Sequence, residues 1–85
     1  MPLHLRVVTP ARPIVETEAD TVVCPGSEGQ FGVLPGHEPF LAPLAEGHVE
    51  WAERGRRRRV PIGGGFAQVT GDAVVVLADS AGAIE

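Results

Sequence analysis

Leu3, Leu5 and Val7 alternate with His4 and Arg6, which is the period of a strand with one buried face. Thr21 to Cys24 reads as a second strand, and Phe31 to Leu34 as a short one between glycines. Phe40, Leu41 and Leu44 follow a Gly36–Pro39 turn. Val49 and Trp51 alternate with His48 and Glu50. Glu53-Arg54-Gly55-Arg56 has the form of a hairpin turn, with Arg57 to Ile62 as the returning strand. Gly63-Gly64-Gly65 should break that strand, Phe66 to Val69 resume it, and Val74 to Leu77 close the chain after a Gly71-Asp72 turn. Turn signals every eight to twelve residues or so predict an all-β sandwich or barrel. The expected core is Leu5, Val7, Val23, Phe31, Val33, Leu41, Val49, Trp51, Phe66, Val69, Val75 and Leu77. Only the tail departs from this pattern: Asp79-Ser80 is a good N-cap pair ahead of alanines, so at most one turn of helix is expected there.

Composition narrows the reading without changing it. The chain has 85 residues, which fits a single domain over residues 1–85, and it shows no internal repeat. Eleven glycines and eight prolines make a sustained helix hard to place. No apolar run approaches the ~20 residues of a membrane-spanning helix. The N-terminus lacks the basic-then-apolar layout of a signal peptide, so a soluble, unexported domain is expected. Cys24 is the only cysteine, which rules out an internal disulfide and fits a small buried strand residue. The net charge is −4, which argues against a nucleic-acid binder built on overall charge.

The glycine-rich stretch "VCPGSEGQFGVLPGHEPFLAPL" invites a phosphate-loop reading that its chemistry refuses. A P-loop needs a lysine for the terminal phosphates, and all seven basic residues here are arginine. The lipoyl and biotinyl carriers, small β domains of similar length, need a lysine amine and are excluded for the same reason. Gly26, Gly29 and Gly32 do not form a dinucleotide fingerprint, and no helix follows to receive a pyrophosphate. His4, His37, His48 and Cys24 lack zinc spacing, so no metal or other cofactor is expected. Ser27 and Ser80 sit in no nucleophile elbow, and Glu28 and Glu38 read as solvated turn acids. Enzymatic activity has little support. The charge block Arg56–Arg59 could contact phosphate or anionic lipid. It is also explained by cross-strand pairing with Glu50 and Glu53, and by protection of an edge strand.

Three segments in order carry a family resemblance: "PGSEGQFGVLPGHEPFLAPLAEG", "GGGFAQV" and "VVVLADSA". Together with the opening "LRVVTPARPIV", they closely resemble the epsilon subunit of F-type ATP synthases, the counterpart of the mitochondrial delta subunit. The resemblance covers nearly the whole chain. It implies a flattened β-sandwich of about ten short strands. It implies a non-catalytic rotor subunit in the central stalk, docking the gamma subunit to the c ring and coupling proton flow to ATP synthesis. Such a subunit is peripheral, on the cytoplasmic face of the bacterial inner membrane, with no small-molecule substrate and no nucleic-acid partner. The glycines and prolines then become turn hardware that displays docking loops.

By the same resemblance, Thr9, His37 and Ala42 match gamma-facing positions, and Glu28 and Gln30 belong to the loop facing the c ring. Two positions depart from the family pattern. Gln30 stands where an acid is common, and Glu38 where a small alanine is usual. Family members commonly continue into a C-terminal helical hairpin, whereas this sequence stops at Glu85, so a domain without that hairpin is expected. The competing reading is a small β-barrel binding module using Arg56–Arg59 on nucleic acid or anionic lipid.

Overall fold

The computed structural model describes residues 2–85, apart from the side chain of His37. It is all β. The strands are β1 (Leu3–Val8), β2 (Pro13–Ala19), β3 (Thr21–Gly26), β4 (Gly29–Val33), β5 (His37–Glu53), β6 (Arg56–Gly71) and β7 (Ala73–Ala78). They form one sheet in the order β2-β1-β7-β6-β5-β3-β4. All neighbours are antiparallel except β1 and β7. The sheet folds over on itself into two layers. The second half of β5 and the first half of β6 lie in one layer with β3 and β4; the first half of β5 and the second half of β6 lie in the other with β7, β1 and β2.

Seven strands stand where about ten short ones were expected, because β5 and β6 each run through both layers. Their pairing is continuous from Phe40↔Val69 through Leu44↔Gly65 and Glu46↔Gly63 to Glu53↔Arg56. Gly63-Gly64-Gly65 therefore bends a strand instead of breaking it. Gly64 and Gly65 carry φ of 100° and 138°, a conformation that L side chains rarely adopt. Gly65 is also confined by space, since a Cβ there would run into the Leu77 carbonyl.

The corner changes which residues face inward. Before it β6 buries Val60 and Ile62, and after it Ala67 and Val69. On β5 the buried residues are Leu44 before the corner and Val49 and Trp51 after it. Six of the expected core positions hold: Leu5, Val7, Val33, Val49, Trp51 and Val69 are buried. Phe31 is half-buried against the core and meets Phe40 edge-on, with ring centroids 5.4 Å apart. Leu41, Phe66 and Leu77 are not core: they are 66%, 51% and 52% exposed. Val23 and Val75 also lie on the other face from their buried neighbours Val22, Cys24, Val74 and Val76. In β3 and β7 both phases are apolar, so alternation could not choose between them.

The tail forms no helix. It continues β7 along the edge of β6, with Asp79 N donating to Gly64 O at 2.9 Å and Gly82 N to Pro61 O at 2.9 Å. Arg59 and Glu85 exchange backbone bonds at 2.7 and 3.3 Å. The β6 edge satisfies its donors and acceptors by taking this segment as an added strand, which outweighs the local capping preference of Asp79-Ser80.

The corner supplies a stability test. Gly65→Ala should cost about 2–4 kcal/mol, from a strained φ plus a collision with backbone. Gly29→Ala, at a comparable φ of 129° but with open space around it, should cost clearly less. Urea unfolding of both variants measures the difference; equal losses would show that the corner imposes no steric constraint of its own.

Candidate functional site

Three surfaces are built by this framework. The first is the outer face of the layer containing β1 and β7. Strand pairing sets Pro43, Phe66, Leu77 and Val8 side by side in one row. The next row holds Leu41, Gln68, Val75 and Arg6. An outer face normally carries polar residues. Here the large side chains Leu41, Phe66 and Leu77 lie together in solvent, forming a contiguous apolar patch of the kind that marks an interaction surface.

The second surface is the β3–β4 hairpin tip. Glu28 and Gln30 are both exposed there, on a turn permitted by Gly29. Ser27 N donates to Pro43 O at 3.0 Å, fastening the tip to β5. A shallow cleft of about 240 Å³ runs between Ser27–Gly29 and Leu41–Pro43. The polar tip thus adjoins the apolar face.

Thr9 and Ala42 frame that face instead of meeting. Thr9 lies in the β1–β2 turn, where its hydroxyl donates to Arg12 O at 3.0 Å and accepts from Arg12 N at 3.2 Å. Ala42 is half-buried on β5 opposite Ala67, between the outward-facing Leu41 and Pro43. Three strand spacings, ~14 Å, separate β1 from β5. His37 pairs with Gly71 through the backbone, and its side chain lies outside the described residues. The sequence reading placed Leu41, Phe66 and Leu77 in the core and so missed them as surface residues. The signal available was the apolar character of both phases of β7.

The third surface is the open end of the sandwich, around the β5–β6 hairpin. The register expected for the arginine block holds, with Glu50 opposite Arg59 and Glu53 opposite Arg56. The expected ion pairs do not form. Arg59 Nε instead donates to Glu85 Oε1 at 2.9 Å, with His48 Nε2 3.5 Å from Glu85 Oε2. Glu53 accepts from Trp51 Nε1 and from Thr17 Oγ1, each at 2.9 Å. These two bonds, first Trp51 and then Thr17, hold its carboxyl below the ordinary value of 4.5, helped by the more distant charges of Arg58 and Arg54. The Thr17 bond also ties β2 to β5 across the open end.

Among the described residues no group of three His, Cys, Asp or Glu side chains could hold a metal ion. Cys24 is fully buried, and desolvation pushes its thiol up to about 12, the opposite of an activated nucleophile.

Comparison with known proteins decides the family. The model of the ATP synthase, Delta/Epsilon chain, beta-sandwich domain matches residues 2–84. The chain belongs to this family. Relatives named ATP synthase epsilon chain include one from Nitratidesulfovibrio vulgaris, 47% identical over 93% of this chain and 59% of its own length. Another, from an Anaeromyxobacter species, is 45% identical over 95% of this chain and 61% of its own length. The chain thus spans about three fifths of the curated relatives it matches. Among solved structures, it matches a chain of the Euglena gracilis mitochondrial ATP synthase OSCP/F1/c-ring assembly. That match has a TM-score of 0.88 at 27% identity and covers 95% of this chain and 52% of the other. A chain of the Tetrahymena thermophila mitochondrial ATP synthase central stalk and c ring shares the fold, with a TM-score of 0.78 at 9% identity over 98% of this chain and 67% of the other.

Two measurements check the side chains of this family member. Because the folded Glu53 carboxyl sits below its unfolded value, its ionised form stabilises the fold. That contribution is complete above the ordinary value of 4.5 and is lost as pH falls through the lower folded value. Urea midpoints followed across that acid range should fall more steeply for the wild type than for Glu53→Gln; parallel slopes would remove the carboxylate from the balance. Cys24 should resist a thiol reagent at neutral pH and react only in denaturant. Rapid labelling of the native protein would contradict its burial.

Proposed function

We propose that this chain is a non-catalytic central-stalk subunit of a proton-translocating F-type ATP synthase, docking the gamma subunit to the c ring. The observation that carries this reading is the apolar outer face, on which Leu41, Phe66 and Leu77 are each more than half exposed. A domain this small gains nothing from leaving such side chains in water unless a partner covers them. Gamma is the proposed partner on this face, with Thr9 and Ala42 on its border and His37 on the same surface by family resemblance. The β3–β4 tip, with Glu28 and Gln30, is proposed to meet the polar loops of the c ring. In this assembly the chain is peripheral to the cytoplasmic face of a bacterial inner membrane.

The geometry supports a mechanical role. The apolar face includes β5, and the Ser27–Pro43 backbone bond fastens the β3–β4 tip to that strand. A load applied at one contact therefore reaches the other through ladder hydrogen bonds and a packed core, with no flexible linker between. Gln30, in place of a common acid, leaves the c-ring contact dependent on hydrogen bonding and fit instead of charge.

Reconstitution with gamma and the c ring of the same organism tests the assignment of faces. Paired substitutions Phe66→Glu and Leu77→Glu should lower gamma affinity by roughly 100-fold, the scale of a lost interface hot spot. Both sites are exposed, so the melting temperature should barely move. Gln30→Arg should weaken c-ring attachment and spare gamma. The opposite partition, or unchanged affinities throughout, would sink the proposed surfaces.

A further inference from the structure

We propose that the cleft beneath the β5–β6 hairpin is a binding site for a small phosphate-bearing anion, held by Arg54, Arg56 and Arg58. The cleft has a volume of about 520 Å³, within the range of small-molecule sites. The hairpin forms one wall, on which the Glu53 carboxylate lies beside the three arginines. Thr17, Glu18 and Asp20, with Pro2, form the other. Arg56 and Arg58 alternate along β6 and so project from one face, while Arg57 and Arg59 leave from the other. Arg54 joins them from the turn.

Three features set these arginines apart from an ordinary solvated charge run. First, among the described residues none of the three makes an ion pair or a side-chain hydrogen bond. Second, the carboxylate nearest them spends its hydrogen bonds on other donors. Glu53 lies directly opposite Arg56, yet both its oxygens are taken by Trp51 and Thr17. It attracts Arg58 and Arg54 only through space. Third, Arg54 has φ of 51° and is the one non-glycine residue with positive φ among those described. A two-residue hairpin turn of this kind favours Asn-Gly, so an arginine here accepts a backbone cost while being presented at the mouth of the cleft.

The chemistry of the lining selects the ligand class. Guanidinium groups are planar forks that bind phosphate oxygens in pairs. Three of them on one wall suit a dense oxyanion such as a pyrophosphate group. Glu18 and Asp20 on the facing wall repel an extended negative surface, as does the net charge of −4. A membrane sheet or a nucleic-acid polymer would have to approach those acids; a small anion can seat among the three guanidinium groups, which outnumber the single Glu53 carboxylate on their wall. This inference stands apart from the proposed docking faces, and its outcome does not depend on them.

Calorimetric titration of the isolated chain with inorganic pyrophosphate at low ionic strength provides the test. Saturable binding at millimolar or lower concentration is expected, weakened by roughly tenfold or more in Arg56→Gln/Arg58→Gln. Arg57→Gln removes the same charge from the opposite face and should change affinity less than twofold or so. Thermal melts in pyrophosphate should show a stabilisation that the double variant loses. Absence of saturation, or equal losses in the double variant and Arg57→Gln, would overturn the site. So would capture by phosphatidylglycerol vesicles or single-stranded RNA without any pyrophosphate binding, which would mark a polyanion surface instead.

Discussion

The unbroken ladder between β5 and β6 is the constraint on which the molecule depends. These two strands belong to both layers of the sandwich, so the layers cannot slide or separate without stripping backbone hydrogen bonds. The corner where they cross permits no side chain at residue 65, because the Leu77 carbonyl occupies the space a Cβ would need. β7 and the tail then follow β6 around the same bend, with Ala78 paired to Gly65 and Asp79 bonded to Gly64. At the opposite, open end Glu53 closes the gap by accepting from Thr17 of β2 and Trp51 of β5. The core of Leu3, Leu5, Val7, Val49, Trp51, Val60, Val69, Val74 and Val76 fills the space these restraints define.

Local signals in the sequence captured what depends on local chemistry. Leu3, Leu5 and Val7 alternate cleanly with polar residues, and their faces were assigned correctly. The Arg54-Gly55 turn and the register Glu53↔Arg56 followed from the spacing of two apolar runs around a glycine. Where the reading failed, the deciding information was not local. The inward phase of β6 changes at a glycine corner, so a periodicity carried straight through Gly63-Gly64-Gly65 puts Phe66 on the wrong face. In β7 the run Val74-Val75-Val76-Leu77 is apolar in both phases, and only tertiary packing selects Val74 and Val76. The tail's capping signal was real but weaker than the demand of an unpaired strand edge. On the site, the family resemblance led to the exposed tip of Glu28 and Gln30, while the apolar side chains beside Ala42 were mistaken for core. A docking face and a core face have the same composition, and hydropathy cannot tell them apart.

The surface divides by physical character, and each part has a different distance law. The face of Leu41, Phe66 and Leu77 acts only on contact, since hydrophobic burial requires water to be expelled. The hairpin of Arg54, Arg56 and Arg58 acts over a Debye length of about 10 Å and weakens as salt rises. Its positive charge persists because three arginines outnumber Glu53, whose hydrogen bonds go to Trp51 and Thr17 and leave the guanidinium groups without a bonded partner. Had Glu53 bonded Arg56 instead, that guanidinium would be engaged and the Trp51 indole N–H would lose its partner. One carboxylate therefore both closes the open end of the sandwich and leaves the basic wall available.

The proposed stalk role places a demand on this arrangement that affinity alone does not meet. A subunit that transmits torque between two partners must resist deformation between its contacts, and its stiffness is set by the weakest link along the path. Here the path from the proposed gamma face to the proposed c-ring tip runs within β5 and across one backbone bond, from Ser27 N to Pro43 O. Neither end is an isolated loop: Leu41 and Pro43 sit in the β5–β6 ladder, and the tip is the end of the β3–β4 hairpin, itself paired with β5 over Thr21–Val23 and again, after a register shift, at Gly26. Proline at 43 suits this junction. Its missing N–H sacrifices a donor, but its carbonyl is the acceptor that fastens the tip, and its fixed φ stiffens the strand where two surfaces meet. The glycine-rich stretch that first suggested a phosphate loop is thus better understood as the turn structure that fastens the β3–β4 tip to β5 beside the apolar face.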